Sequence, residues 1–481
     1  MRSLVLLAAV FCAAAQQAPF TLDQVLGAAF PSELTAAPSG AKVAWVSNAR
    51  GVRNILVAEP PAYQGRKITS YTRDDGQEIS SLRWTPDASA IVYGRGGTAN
   101  PALNPKGVSE EIWIADLGGA APRKIAGGAA PAIAPRGDRL AFVAGGQIWL
   151  ASLDGKSAAP AFHARGICQR PSWSPDGARI SFVSARGDHS FIGVYDVAAD
   201  ALRYLDPSTD SDREPTWLPD SRSIAFLREP STGKRAVREA HRAGEPWSIR
   251  IASVETGEGR ELWRARQGPG SVFRGVTATH QLLWTADSRI VFPWEGDGWT
   301  HLYAIPVAGG TASLLTPGEF EVEDVALAAN RGDVIFSSNQ GDIDRRHLWK
   351  VAASGGAASA LTSGATIELA PAPTSDEGAI ALLRSDAQHP MHPAIRIGRA
   401  LRDLDTASLP ADFPLAHLVT PQPVIFPAAD GLTRHGQLFL PPHRRRIALA
   451  RRPPWSSFTV ARAARCCSAG TPCTTTPTLM R

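Results

Sequence analysis

The densest chemistry in the sequence lies in two runs, Trp294-Glu-Gly-Asp-Gly-Trp-Thr-His-Leu-Tyr303 and Asn339-Gln-Gly-Asp-Ile-Asp-Arg-Arg-His-Leu-Trp349. Each sets charges and aromatic rings around a turn and then enters an apolar strand. Glu295, Asp297, Arg345 and Arg346 are the candidate contacts for the ends of a peptide, expected to project toward the central channel of the fold. The same residue types also serve as turn formers, with Trp and Tyr sealing contacts between sheets. Asp342 and Asp344 suggest calcium, but the oxygen-rich loop with a bidentate Glu is missing. Zinc-ligand spacing and a phosphate-cradling glycine loop are also missing, so neither metal nor cofactor is expected.

These runs sit inside a repeat whose clearest copy is Arg170-Pro-Ser-Trp-Ser-Pro-Asp-Gly-Ala-Arg-Ile-Ser-Phe-Val183. Trp173 closes an apolar strand end, Pro175 presets φ for a tight turn, Asp176 bonds the backbone ahead of it, and Gly177 accepts positive φ. Ile180 and Phe182 then alternate with polar neighbours, the period of a half-buried strand. Copies occur at Trp84–Asp87, Ala134–Gly137, Trp217–Asp220 and Trp284–Asp287, each followed by an apolar pair, and fainter ones at Pro38–Gly40, Asn330–Gly332 and Asp376–Gly378. The eight turns are about 40 to 50 residues apart, with one gap of 67. That is the period of four-stranded propeller blades, which cannot bury both faces alone and must stack in a ring. The expected fold is all-β, an eight-bladed β-propeller with WD40-like repeats over residues 38–400. The long gap falls after Phe226, where Arg228 to Glu245 reads as a charged, solvated insertion on blade five.

A chain of 481 residues leaves room for a second domain. Arg2, the apolar run Leu4 to Cys12 and Ala13-Ala-Ala15 form a secretory signal peptide, residues 1–15, cleaved near Ala15, so the protein is expected to be secreted or periplasmic. The run is too short to span a bilayer, and no later stretch is apolar for long enough to be a membrane helix. A lead-in, 16–37, follows, with a helical pattern from Leu22 to Phe30. Of five cysteines only Cys168 lies in the body, so the propeller holds by packing rather than by disulfides.

The repeats, the run Asp297-Gly-Trp-Thr-His-Leu-Tyr303, and the segment Val424-Ile-Phe-Pro-Ala-Ala-Asp-Gly-Leu-Thr-Arg-His-Gly-Gln-Leu-Phe-Leu-Pro-Pro442 together resemble secreted bacterial members of the prolyl oligopeptidase family. These are serine peptidases of the dipeptidyl-peptidase and acylaminoacyl-peptidase type. The resemblance implies a propeller capping an α/β-hydrolase domain and limiting access to short peptides. It makes residues 401–442 a linker plus the first two hydrolase strands, 418–427 and 433–440, turned at Asp430-Gly431. In the family a serine on a Gly-x-Ser-x-Gly elbow is followed by Asp and then His. No such elbow occurs after Pro442, so no catalytic residue is assigned and the chain is expected to be truncated before its catalytic residues and inactive. The family's paired-glutamate motif for a free amino terminus has no counterpart here either.

The tail, 443–481, holds eight Arg and three Cys but no Asp, Glu or Lys. Taking its eight charges from the net +5 leaves −3, so the basic balance belongs to the tail and implies no nucleic-acid partner. Slipping the reading frame admits a string resembling the third hydrolase strand and its His-Gly-Gly loop. The tail is therefore read as an out-of-frame, disordered translation beginning between about Pro442 and Arg452. The alternative is a genuine arginine-rich extension. The expected function is the substrate-gating propeller of a secreted serine exopeptidase whose substrate is a short peptide. The rival is a stand-alone periplasmic propeller that binds a peptide or partner protein.

Overall fold

The computed structural model describes residues 20–97, 109–231, 244–405 and 409–440, and the backbone of 459–461. The repeated turn is built as its sequence dictates. In the clearest copy Ser174 Oγ donates to Asp176 Oδ1 at 2.6 Å, Ala178 N donates to the same oxygen at 3.0 Å, and Gly177 takes φ 72°. Thr85 with Asp87, Thr285 with Asp287 and Thr374 with Asp376 repeat the hydroxyl-to-carboxylate bond at 2.5–2.6 Å. In these four copies the turn closes on its own side chains.

Eight sheets of four antiparallel strands follow in order, at 30–67, 79–127, 129–160, 167–205, 211–264, 283–314, 322–360 and 367–403. Sheets four and five also share one parallel bridge, Ser190 to Ser211. First strands pack on the first strands of neighbouring sheets, whereas most fourth strands are largely exposed, so each blade runs from the centre outward. Eight separate apolar clusters lie between successive blades. The last joins blade eight to blade one through Ala381 and Ile395 against Val43, Trp45 and Leu56. Packing closes the ring, helped by Gly65 N donating to Leu404 O at 2.8 Å and Ala41 N to Ser375 Oγ at 3.4 Å across the same joint, giving an eight-bladed propeller.

Each second strand carries one large residue at the same place: Trp45, Tyr93, Phe142, Phe182, Phe226, Phe292, Phe336 and Leu382, none more than 1% exposed. Burying one such side chain is worth about 1.5–3 kcal/mol, so the eight form the main apolar investment of the ring. These strands are more deeply buried than their alternation suggests. In Arg179–Ala185 the polar Ser181 and Ser184 are as inaccessible as Ile180 and Phe182, because a blade has a neighbour on both faces. Gly193 shows how tightly the strands fit: a Cβ there would lie 2.3 Å from Phe182 Cζ.

Two boundaries differ from expectation. The helix in the lead-in is one turn, Leu22–Val25, capped by Thr21, and Phe30–Ala36 is already the inner strand of blade one. The lead-in thus ends before residue 30 rather than at 37, because the ring needs a first strand that no turn signal precedes. The last blade runs to Asp403 rather than 400. Gln422–Pro427 and Thr433–Leu438 form the expected strand pair, with Gly431 at φ 79° in its turn. In the tail, the backbone of Thr459–Ala461 pairs as a third strand with that pair; the remainder of 443–481, the signal segment and most of the blade-five insertion lie outside the described residues.

Candidate functional site

Alternating strand direction gives the ring two unlike faces. One carries the eight tight turns between first and second strands. The other carries the connections between second and third strands, two-residue turns at 50–51 and 145–146 but longer loops in most blades, among them 295–300 and 339–346. The lead-in and the strand pair meet this long-loop face. Arg50 donates to Asp23 O at 3.3 Å, Gln388 Nε2 donates to Leu418 O at 3.2 Å, and His435 Nδ1 lies 2.9 Å from Asp344 Oδ2.

All four candidate residues are on the long-loop face, in blades six and seven. Glu295 is buried beside the equally buried Arg274, at 3.4 Å, and Arg274 also lies 3.6 Å from Glu321. Asp297 shapes its own loop, accepting from Trp299 N at 3.1 Å and facing His301 Nε2 at 3.5 Å. His301 is fully buried, and that burial pushes its pKa below the ordinary range against the pull of Asp297. Arg345 and Arg346 part company. Arg345 donates to the carbonyls of Ala365 and Asp344 at 3.1 and 3.0 Å, while Arg346 forks onto Glu323, its Nε 3.0 and 3.2 Å from the two oxygens. The loops therefore present carboxylates and guanidiniums already compensated by neighbours. Asp344 bonds His435, and among the described residues no group of three or more His, Cys, Asp or Glu is placed to hold a metal ion.

A second group, not singled out in the sequence, lines the channel. Inner strands bulge three residues before their ends, and Glu33, Ser81, Ala130, Arg170, Glu214 and Ala370 there take φ between 51° and 57°. A non-glycine residue in this region is strained, and ring closure holds six of them in it. The bulges bind blade to blade: Leu82 N donates to Glu33 Oε2 at 3.3 Å, and Arg170 pairs with Glu214. His280 lies just before the short inner strand of blade six, Leu283–Trp284. Crowding by protein lowers its pKa, Glu214 opposes this, and Arg83, Arg170 and Arg331 add to it. Those four charges come from blades two, four, five and seven. His280, Arg83 and Arg331 are exposed, yet the protein around them lowers the pKa of each. The only sequence signal for this ring was register: Ser81, Arg170 and Glu214 each stand three residues before a repeat Trp.

The fold is that of an eight-bladed propeller with two unlike faces, one of which receives a short strand pair. Residues 231–389 match the family model of the dipeptidyl peptidase IV N-terminal region. Among solved structures the chain resembles Porphyromonas gingivalis dipeptidyl peptidase 4, with TM-score 0.63 and 13% identity over 87% of this chain and 67% of that one. It also resembles a puromycin-hydrolyzing peptidase of Mycobacterium tuberculosis, with TM-score 0.51 and 13% identity over 87% of this chain and 59% of that one. The likeness to prolyl-oligopeptidase-type peptidases read from the repeats is thus supported by a family model and by fold.

Proposed function

We propose that this chain is the substrate-gating propeller of a secreted serine exopeptidase acting on short peptides, and that it does not hydrolyse peptides by itself. The observation that carries the reading is the strand pair Gln422–Pro427 and Thr433–Leu438, seated on the long-loop face through His435 and Asp344. A propeller that only bound a partner has no need of it. Glu295, Asp297, Arg345 and Arg346 stand on that same face, where they would meet the ends of a peptide held between ring and hydrolase. Without a nucleophile and its base there is no route to an acyl-enzyme.

The test compares the purified chain with a version whose gene is restored to one frame through codons 442–481 and beyond. The restored protein is expected to cleave a chromogenic dipeptidyl substrate and to be blocked by a serine-directed inhibitor, while the present chain does neither. Turnover by the present chain, or no hydrolase sequence downstream in any frame, overturns the reading. The secretion reading predicts a mature amino terminus near Gln16 by mass spectrometry of exported protein. The binding-module rival draws support from the ring's closure by its own eight interfaces. Deleting everything after about residue 415 separates the two, since unchanged biological activity favours the rival.

A further inference from the structure

We propose that residues 276–281 form a fixed constriction inside the central channel, a selectivity element that small molecules pass and bulky ones do not. That the molecules it sorts are peptide substrates rests on the peptidase reading above; the constriction itself does not.

The argument begins with a shortened strand. Seven blades have inner strands of five to seven residues, whereas blade six keeps only Leu283–Trp284. The residues before that pair cross instead to blade seven. Thr277 forms a parallel bridge with Asp324, its N–H donating to Glu323 O at 2.8 Å and its carbonyl accepting from Val325 N at 2.9 Å. The inner strand of blade seven, Val322–Leu327, already pairs along its other edge with Asp333–Ser338 of its own sheet. A strand has two edges, and the one that an innermost blade strand leaves open faces the channel. Thr277 therefore lies on the channel side of the ring.

The segment is held as well as placed. Val276 is buried in the apolar cluster between blades six and seven, and Ala278 packs against the same cluster, while Thr277, Thr279 and His280 are exposed. That alternation puts one face on the ring and the other in the open space beside it. Gln281 closes the loop: its Oε1 accepts from Val276 N at 3.0 Å and its Nε2 donates to Val276 O at 2.9 Å, so one side chain does what a paired strand would. Gly275 makes room for this clamp, since a Cβ there would lie 2.9 Å from Gln281 Oε1. Arg274, one residue earlier, is buried between Glu295 and Glu321. Four hydrogen bonds over six residues thus hold the loop as a wall rather than a moving lid. Its exposed side chains are two hydroxyls and an imidazole, unlike the apolar lining of a ligand pocket, so it sorts by bulk rather than by affinity.

Thiol labelling of the full chain tests this. With Cys12→Ser, Cys466→Ser, Cys467→Ser and Cys473→Ser in place, the one native thiol left is that of Cys168, which is fully buried. Thr279→Cys then puts a thiol at the tip of the loop, and Lys156→Cys puts one in an open turn, where the native side chain is 84% exposed. N-ethylmaleimide and a maleimide on a long polyethylene glycol chain are compared at each site, because the ratio of two such reagents cancels the thiol's own reactivity. The small reagent is expected to reach both thiols, and the bulky one to lag at least about tenfold more at the tip than at the open turn. Amide hydrogen exchange at Thr277 and Val325 should be slow, and faster in Gln281→Ala, which unlatches the loop and should shrink the lag. Thermal unfolding checks that each variant folds, and His280→Cys stands in for Thr279→Cys should that one fail to. Equal lag at both sites, a tip thiol closed even to N-ethylmaleimide, unprotected amides at Thr277 and Val325, or a folded Gln281→Ala variant that behaves like the parent overturns the proposal. If the restored enzyme cleaves peptides but the tip shows no lag, the constriction fails and the peptidase reading stands. If the lag is found and no restored frame is active, the reverse holds.

Discussion

Two neighbouring interfaces of the ring solve the same packing problem with different chemistry. Between blades five and six lies an aromatic cluster: Trp263 is 4.9 Å from Trp247, 4.7 Å from Phe292 and 5.0 Å from Trp294, with Tyr303 5.0 Å from Trp294. Between blades four and five a smaller apolar cluster around Trp217 and Phe226 is topped by an ion-pair network. There Arg228 grips Asp212 by two bonds of 2.7 and 2.9 Å, and also faces Asp206 at 3.2 Å, which Arg250 Nε holds at 2.7 Å. The aromatic interface gains by area and by ring geometry, whatever the solution conditions. The ionic one spends part of its attraction on desolvation and depends on every partner staying in place. Burial pushes Asp212 up to about 6 despite its two bonds, while Arg228 is held protonated more firmly than usual by its carboxylates. Both directions hold together: the pair is ionised at neutral pH, but the carboxylate is the costly end.

The largest effect should come from the aromatic side. Phe292→Ala is expected to cost about 3–5 kcal/mol in a denaturant titration, because a wholly enclosed ring leaves a cavity that neighbours cannot fill. A loss under about 1 kcal/mol would mean that this interface is softer than its contacts imply. Arg228→Met should cost about 3 kcal/mol by stranding Asp212, whereas adding Asp212→Leu to it should recover most of the loss. If the double variant is no better than the single one, the network contributes more than mutual compensation.

The third prediction concerns pH. The folded-state value of Asp212 lies above that of an unfolded aspartate, so the native state binds this proton more tightly. Its contribution to stability therefore falls as pH rises from about 4 to about 6, by on the order of 2 kcal/mol. Asp212→Asn should flatten that part of the stability profile, and a profile unchanged by the substitution would contradict the assignment. The smallest effect is Arg264→Ala, which breaks a surface pair with Glu261 and should change stability by about 0–0.5 kcal/mol, less in high salt.

Legibility followed the range of the interactions. The tight turns were readable because Asp87, Asp176, Asp287 and Asp376 bond residues within a few positions of themselves. The apolar pairs that follow them were readable because every blade repeats them. The roles of Glu295 and Arg346 were not, since residue type shows a charge but not the Arg274 or Glu323 that meets it across the fold.

Local chemistry alone therefore determined that this chain makes eight hairpin-led sheets and something strand-like after residue 420, because turn closure and side-chain period need only near neighbours. Tertiary structure decided the rest. The bulges at Glu33, Arg170 and Glu214 and the second strands buried on both faces arise only when the blades pack on one another around the ring. Residues as far apart as Val43 and Ala381 then share one apolar cluster, and no segment of sequence contains that contact.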